Sequence, residues 1–328
     1  MTYTEPLSPA IRVAGLTKRW GERTVLDGLD LTVAPGSVYA LLGPNGAGKS
    51  TFIRILTTLA TADDGVVEVA GHDVAVHPVE VRRSISVTGQ ETAVDELLTG
   101  RENVRMVARV AGLGRRDADA RADELLALFD LLEAADDRAG SYSGGMRRRL
   151  DLAASLVVVP VVLFLDEPTT GLDTRSRQTL WRRIEELAAN GTTILLTTQY
   201  LEEADELADR IGVLDGGRLV AEGTAAELKA RVGTEVLELT IACPTARQRA
   251  VELLDATPRG ADSIQVPTDG SGDHVRHVLD QLAAHHVGDV RVAVHAPTLD
   301  DVFLSLTERT GLTAAHAQQP GRVGEVMS

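Results

Sequence analysis

A glycine-rich stretch near the N-terminus constrains the fold of this chain more than any other feature. The residues Gly43-Pro44-Asn45-Gly46-Ala47-Gly48-Lys49-Ser50-Thr51 follow the apolar residues 38–42 and precede a helix-like stretch. Between a strand and a helix, glycines let backbone N–H groups wrap phosphate oxygens, and the helix N-terminus adds a positive dipole. The alternative, a glycine-rich turn that matches by chance, does not account for the Lys-Ser pair and both flanking elements. The pattern predicts an α/β sheet with a phosphate-binding loop at a strand end.

The side chains of this loop, which has the Walker A pattern, have separate roles. Lys49 supplies a positive charge to the β and γ phosphates of a nucleoside triphosphate, and the Ser50 hydroxyl is expected to ligate Mg²⁺. The candidate nucleotide ligands of the loop are Gly43, Pro44, Asn45, Gly46, Ala47, Gly48, Lys49, Ser50 and Thr51. The loop therefore predicts a bound nucleotide and Mg²⁺.

A second apolar segment, residues 161–165, ends in the two acids Asp166 and Glu167. Because the carboxyl ends of parallel strands share one edge of a sheet, these acids are expected beside the phosphate loop. We interpret the segment as a Walker B motif, in which Asp166 holds Mg²⁺ through its water shell. Glu167 would polarise the water that attacks the γ-phosphate. The alternative is that the two acids cap an ordinary turn, and the presence of the Walker A loop disfavours it.

Short β-branched segments alternate with helix-like stretches through the first 220 residues, the pattern of a parallel sheet flanked by helices. The predicted strands are residues 11–16, 38–42, 84–87, 161–165, 193–197 and 211–214. Between residues 102 and 136, apolar residues at helical spacing predict two helices separated by a break at 112–116. The apolar positions expected to face the core are Val104, Val107, Val110, Leu125, Leu128 and Leu131.

The pattern changes near residue 230, after a predicted hairpin turn at 215–217 and a helix at 224–231. Beyond it we predict strand 236–241, helix 246–256, strand 263–266, helix 273–285, strand 289–294 and helix 299–308. The expected domains are an N-terminal extension (1–10), an ATPase domain (11–231, helical subdomain about 95–155), a small C-terminal domain (232–310) and a disordered tail (311–328). The fold class is α/β, a P-loop NTPase domain with a mixed, mainly parallel sheet, followed by a small α+β domain.

The motif that narrows the family is Ser141-Tyr142-Ser143-Gly144-Gly145-Met146, which precedes a helix-like stretch. It resembles the signature sequence of ABC ATPases, commonly Leu-Ser-Gly-Gly-Gln, with departures at Tyr142 and Met146. Ser143, Gly144 and Gly145 keep the hydroxyl and free N–H groups that bind a phosphate at a helix start. Ser143 lies 23 residues before Asp166, and the family's signature also lies shortly before its Walker B motif.

Other landmarks of the ABC ATPases stand in the same order. Gln90 resembles the Q-loop glutamine, which in the family touches Mg²⁺ and the membrane subunit, and Asp173 resembles the D-loop aspartate. Trp20 occupies the place where the family stacks an aromatic ring on adenine. A core role for Trp20 is the alternative. The resemblance covers residues 11–231, and it implies a homodimer in which two chains sandwich each ATP.

One position departs from the family pattern. In Thr197-Thr198-Gln199-Tyr200, Gln199 stands where ABC ATPases have a switch histidine. Glutamine can donate a hydrogen bond to the γ-phosphate but cannot become a cation, so weaker transition-state stabilisation is expected. Two alternatives stay open: slow turnover, or a natural variation that leaves hydrolysis adequate.

The closing segment, residues 296–307 with Leu299-Asp300-Asp301-Val302-Phe303-Leu304, resembles that of daunorubicin-resistance (DrrA-type) ATP-binding proteins. The resemblance implies an ATPase that energises export of a drug or antibiotic through a separate membrane subunit, at the cytoplasmic face of a bacterial membrane. As a local structure, Thr298 caps a helix whose Val302, Phe303 and Leu306 pack inward. A nucleotide-gated regulator, or an ABC ATPase that acts without a membrane subunit, is the alternative.

Composition excludes several other classes of function. A formal net charge of −15 argues against a broad nucleic-acid surface, and the run Arg147-Arg148-Arg149 is interpreted as a solvated helix face. Residues 201–210 are interpreted in the same way, as an acidic, solvated helix. One cysteine, Cys243, leaves no internal disulfide, which fits a reducing compartment. The longest apolar run, 156–165, is about half the ~20 residues that span a bilayer, so no transmembrane segment is expected.

Overall fold

The sheet predicted from the apolar strands forms the centre of the N-terminal part of the chain. The computed structural model describes residues 8–89, 93–231 and 235–309, with side chains as far as Ser305. The elements of this part are β1 (Ile11–Trp20), β2 (Arg23–Val33), β3 (Val38–Leu42), α1 (Lys49–Leu56), β4 (Asp64–Val69), β5 (His72–Asp73), α2 (Pro78–Ser84), β6 (Ile85–Thr88), α3 (Gly100–Val110), α4 (Arg115–Leu128), α5 (Gly144–Ser155), β7 (Val162–Asp166), α6 (Thr174–Ala189), β8 (Thr193–Thr198), α7 (Leu201–Leu207), β9 (Arg210–Asp215) and β10 (Arg218–Gly223).

Six strands make up the central sheet, in the order β10-β9-β3-β8-β7-β6. All neighbouring pairs are parallel except β9 and β10, which form the hairpin predicted at residues 215–217. Every residue of β3, β7 and β8 is buried, as expected of strands covered on both faces. The order β3-β8-β7 brings the carboxyl ends of three strands side by side, and the predicted mixed, mainly parallel sheet is confirmed.

A second, antiparallel sheet has the order β2-β1-β4-β5 and was not predicted. The prediction that residues 11–16 belong to the central sheet was wrong, because β1 pairs with β2 and β4. β1 largely alternates buried and exposed residues, which is typical of an antiparallel strand with one solvated face. Ile11 of this sheet, Phe52 of α1 and Phe164 of the central sheet belong to one buried apolar cluster. The two sheets and α1 thus share one apolar core.

Helices α3, α4 and α5 form the helical part expected over about residues 95–155. A capping box starts α3: the Thr99 hydroxyl accepts from the Glu102 N–H, and the Glu102 carboxylate accepts from the Thr99 N–H. The helix ends at Val110, ahead of Gly112 with φ +95°.

Four of the six apolar positions predicted to face inward do so at least in part. Val104, Leu125 and Leu131 are buried, and Val107 is half-buried. Val110 is 85% exposed and Leu128 is 38% exposed, so the prediction was wrong at these two positions. Each is the last residue of its helix.

The chain consists of two compact units, residues 1–225 and 226–328. From the division onward the elements are α8 (Ala225–Ala230), β11 (Val236–Ile241), α9 (Pro244–Leu254), β12 (Thr257–Arg259), β13 (Ser263–Pro267), α10 (Gly272–Ala284), β14 (Val290–His295) and α11 (Leu299–Arg309). The strands form an antiparallel sheet of order β12-β13-β11-β14. Every predicted helix and strand of this part is present, and the short β12 is additional.

The cap predicted for α11 is also found. Thr298 Oγ1 accepts from the Asp301 N–H at 3.3 Å, and the Thr298 N–H donates to Asp301 Oδ2 at 2.9 Å. Val302 is buried and Phe303 half-buried. The Leu306 side chain and the predicted tail at 311–328 lie outside the described residues.

Candidate active site

The phosphate-binding loop lies between β3 and α1, as the sequence predicts. Gly46 and Gly48 have φ of +83° and +113°, which L side chains rarely adopt. A Cβ at Gly48 would also lie 2.8 Å from Leu26 Cδ2 and 2.9 Å from the Val25 carbonyl oxygen. A Cβ at Gly43 would collide with the Leu214 carbonyl oxygen. The loop therefore needs glycine both for its conformation and for its close approach to neighbouring backbone.

Lys49 places its ammonium group at the centre of this loop. The side chain is only 4% exposed, and Nζ donates to the carbonyl oxygens of Gly43 at 2.7 Å and Pro44 at 3.2 Å. Nζ also lies 3.5 Å from Glu167 Oε1. The structure thus brings together the Walker A lysine and the candidate catalytic carboxylate, which follow two different strands, β3 and β7.

A cavity of about 310 Å³ opens at the loop. Its lining residues are Arg23, Val25, Asn45, Gly46, Gly48, Lys49, Ser50, Thr51 and Glu167. Two of them, Arg23 and Val25, belong to β2 and were missed by the sequence analysis. The alternation of apolar residues along 23–33 was the available signal for this strand.

Asp166 and Glu167 occupy the end of β7 and the position after it. Thr197 Oγ1 donates to Asp166 Oδ1 at 2.5 Å, and the Glu167 N–H donates to the Thr197 carbonyl at 3.1 Å. Glu167 has φ +50°, an unusual value for a residue with a side chain. Non-glycine residues in this region concentrate at functional sites, because the surrounding contacts must hold them there.

Gln199 directly follows β8, the strand between β7 and β3. The Gly43 N–H donates to the carbonyl of Thr198 at 3.3 Å, so the end of β8 is bonded to the start of the phosphate loop. Gln199 is half-buried. The sheet order therefore puts Gln199 between the phosphate loop and the acidic pair at the same edge.

Ser143 and Asp173 cap two helices that begin close together. Ser143 Oγ accepts from the Met146 N–H at the start of α5, and Asp173 accepts from the N–H and Oγ of Ser176 at the start of α6. These bonds hold the pKa of Asp173 below its usual value. A Cβ at Gly145 would lie 2.5 Å from Ser176 Oγ, so glycine permits the two helix starts to approach.

The candidate residues fall into two groups within one chain. Ser143 and Asp173 line a cavity of about 1030 Å³ whose lining residues include none of the phosphate loop. Trp20 ends β1 and is 53% exposed, with Lys18 Nζ 4.7 Å from its ring centroid. Gln90 lies outside the described residues.

Arg148 corrects the interpretation of the three arginines as a solvated face. It is only 6% exposed, and its guanidinium donates to four backbone carbonyls, those of Gly89, Asp166, Glu167 and Pro168. Burial lowers the pKa of Arg148, opposed by the nearby carboxylates. Periodicity along the helix could not reveal this contact, because its partners are distant in sequence.

Glu203 corrects the interpretation of residues 201–210 as a solvated acidic helix. Its side chain is fully buried in α7, and Oε1 accepts from Trp181 Nε1 at 3.2 Å. Burial raises the pKa of Glu203, and the neighbouring polar groups of Thr198, Thr169 and Trp181 oppose that rise only in part. The α7 start next to Gln199 is therefore anchored through a buried acid.

The residues present fit a nucleotide with Mg²⁺. The loop offers backbone N–H groups and an ammonium to phosphate, and the neighbouring Ser50 hydroxyl and Asp166 carboxylate are oxygen donors of the kind that Mg²⁺ prefers. Ser50 and Glu167 line the same cavity. None of the helices in the described ranges has the length and apolar character that crossing a bilayer requires.

Comparisons with known proteins agree with the motifs. The profile of the ABC transporter family matches residues 26–170. The daunorubicin resistance ATP-binding protein DrrA3 of Streptomyces coeruleorubidus is 50% identical over 302 residues, covering 91% of this chain and 96% of that protein. The Nod factor export ATP-binding protein I of Ralstonia nicotianae is 37% identical over 317 residues, covering 94% and 99%. A solved ATP-binding subunit of an ABC transporter has a TM-score of 0.61 at 26% identity, covering 84% and 99%. The resemblance inferred from the motifs is confirmed.

Proposed function

We propose that this chain, which belongs to the ABC transporter family of ATP-binding proteins, is the ATP-hydrolysing subunit of an exporter for a drug or antibiotic. The observation that carries the proposal is the 3.5 Å approach of Lys49 Nζ to Glu167 Oε1 at the mouth of the phosphate loop. The Lys49 ammonium can bind phosphate, and the Glu167 carboxylate beside it can accept a proton from the attacking water. The 50% identity to a daunorubicin resistance protein over 91% of the chain supports the export role.

The nucleotide ligands would come from the loop and its neighbours. The N–H groups of residues 43–51 and the Lys49 ammonium would hold the phosphates, and Trp20 would stack on the adenine. Ser50, Asp166 and Gln90 would hold Mg²⁺, which when bound neutralises charge on the phosphate oxygens. Glu167 would accept the proton of the attacking water, and Gln199 would donate a hydrogen bond to the γ-phosphate.

A homodimer would complete the site. Ser143, Gly144, Gly145 and Asp173 line or flank a cavity separate from the phosphate loop, so one chain holds two half-sites. Two copies that face each other would bring the Ser143 group of one chain to the phosphate loop of its partner. Dimerisation driven by MgATP would then couple binding to movement of a separate integral-membrane subunit.

We also propose a cellular location, a transported compound and domain boundaries for this chain. We assign the chain to the cytoplasmic face of a bacterial membrane, bound to its permease, with an anthracycline-like compound as cargo. The relatives are named for daunorubicin resistance and for Nod factor export, and the higher identity is to the former. We also assign residues 11–231 to the ATPase domain and 232–310 to the C-terminal domain.

The test is to reconstitute the chain with its membrane subunit in vesicles. ATP hydrolysis and anthracycline efflux are measured for the wild type, Glu167→Gln and a matched control, Glu133→Gln, an exposed acid that lines neither cavity. Glu167→Gln is expected to lower kcat by about 10²- to 10⁴-fold, because the general base is lost, while ATP binding persists. Efflux should fall in parallel, and the control should match the wild type.

Two results would contradict the proposal. If the wild type binds ATP but neither hydrolyses it nor moves drug, a nucleotide-gated regulator becomes the better interpretation, with Gln199 as the first position to examine. If hydrolysis occurs without efflux of any anthracycline tested, the ATPase assignment stands and the cargo assignment fails.

A further inference from the structure

Helix α5 begins after Ser143 and carries two buried charged side chains, Arg148 and Asp151. Through Arg148 the helix is bonded to the end of β7. We propose that Arg148, paired with Asp151, is a positioning residue that sets the backbone of Glu167 relative to the start of α5. The inference rests on the proposed hydrolysis and deepens it. It predicts that catalysis depends on a side chain that is bonded to the backbone on either side of Glu167.

The contacts of Arg148 carry the inference. Nη1 donates to the Gly89 carbonyl at 2.6 Å and Nε to the Pro168 carbonyl at 2.8 Å. Nη2 lies 3.3 Å from the Asp166 carbonyl and 3.5 Å from that of Glu167. One guanidinium therefore binds the backbone on both sides of Glu167 and the residue after β6. Only a planar fork with donors on several edges can make such a set of bonds.

Asp151 extends this connection to a second point. Its Oδ2 lies 3.6 Å from Arg148 Nη1, and its Oδ1 accepts from the Ala93 N–H at 3.0 Å. Both side chains are nearly fully buried, and each is satisfied by the other together with backbone groups. The pair thus binds Gly89 and Ala93, the described residues on either side of Gln90, as well as the end of β7.

The neighbouring arginines have different partners, which provides a control. Arg147 pairs with Glu96 at 3.6 Å and keeps 32% of its side chain exposed. Arg149 donates to the carbonyl of Phe129 at 2.9 Å. Among residues 147–149, Arg148 is therefore the arginine that contacts the end of β7.

The conformation of Glu167 explains why such a contact would matter for catalysis. A left-handed φ of +50° is costly for a side-chain-bearing residue and persists only where neighbouring contacts enforce it. Arg148 bonds the carbonyls immediately before and after it. A misplacement of about 1 Å in a catalytic group can cost on the order of 100-fold in rate. Loss of the guanidinium should therefore lower kcat while ATP still binds the separate phosphate loop.

The experiment compares Arg148→Gln, Asp151→Asn, the double variant and Arg147→Gln in the complex with its membrane subunit. Kinetic constants for ATP hydrolysis and the Tm are measured for each. Arg148→Gln is expected to lower kcat about 10- to 100-fold with KM for ATP within about twofold. Each single variant removes one member of the buried pair and should lower the Tm. The double variant should recover much of the Tm without recovering kcat.

The outcomes separate positioning from plain stability. If kcat returns together with the Tm in the double variant, Arg148 is only a structural residue and the inference fails. If Arg148→Gln hydrolyses ATP as fast as Arg147→Gln, the inference also fails, although the proposed function stands. If the wild type does not hydrolyse ATP, the proposed function fails and takes this inference with it.

Discussion

Glu203 is a fully buried acid whose surroundings favour its protonated form. Burial raises its pKa, and the neighbouring polar groups of Thr198, Thr169 and Trp181 oppose that rise. As the pH rises past the ordinary value of a glutamate, about 4.3, the unfolded chain ionises while the folded chain keeps the proton. The contribution of Glu203 to stability is therefore greatest below that value and declines as the pH rises toward the folded pKa.

Glu203→Gln should remove this decline, because an amide keeps the acceptor for Trp181 and cannot ionise. The Tm of the variant is expected to approach that of the wild type near about pH 4.5 and to exceed it by about 2–4 °C at pH 7 to 8. Calorimetry across this range checks it, with Glu206→Gln, an exposed acid of the same helix, as control. A variant less stable than the wild type at neutral pH would mean that the ionised acid is the favoured form.

The roles of residues in a recognisable sequence motif could be predicted. The roles of residues whose contacts are distant in sequence could not. Lys49 and Ser50 sit in a loop whose spacing alone specifies its conformation. Arg148 and Glu203 belong to charged runs, and a run on a helix usually faces water. Their partners are backbone carbonyls and side chains from other strands and helices, such as Pro168 and Trp181. Nothing in the linear pattern gives those distances.

At the level of elements, the capping box of α3 gives a stability prediction. Thr99→Ala removes the acceptor for the Glu102 N–H and should lower the free energy of unfolding by about 1 kcal/mol. The corresponding loss in Tm is about 2–4 °C. Glu102→Gln keeps an oxygen acceptor for the Thr99 N–H, so it serves as the matched control with a smaller loss. A loss in Glu102→Gln together with no loss in Thr99→Ala in thermal unfolding would show that the charge of Glu102, rather than the cap, stabilises the helix.

The strands β2, β4 and β5, which the sequence analysis missed, form an antiparallel sheet with β1. β3, β7 and β8 are continuous apolar segments beside recognisable motifs, and their positions were predicted within one residue. β2 and β4 have one solvated face and pair with β1 across register shifts. Register shifts break the alternation on which strand prediction depends. The pairing partner of such a strand is a property of the folded chain.

At the scale of the whole molecule, charge bears on how two copies meet. Each chain has a formal net charge of −15, so two copies repel at long range. Salt screens this repulsion, since the Debye length is about 10 Å at 0.1 M ionic strength. In Glu167→Gln with MgATP, the dimer dissociation constant is expected to fall severalfold as NaCl rises from about 50 to 200 mM. Sedimentation equilibrium measures it, and a constant that rises with salt would show that ion pairs across the interface dominate.

The two tryptophans of the chain occupy opposite environments. Trp20 is 53% exposed at the end of β1, whereas Trp181 is 8% exposed in α6 and donates to Glu203. The tryptophan fluorescence of the protein therefore comes from one indole that is exposed to solvent and one that is buried. A soluble quencher such as acrylamide reaches the first and spares the second. Because the β1–β2 turn leads to Arg23 at the phosphate-loop cavity, the quenchable emission provides an unlabelled optical signal from the nucleotide end of the molecule.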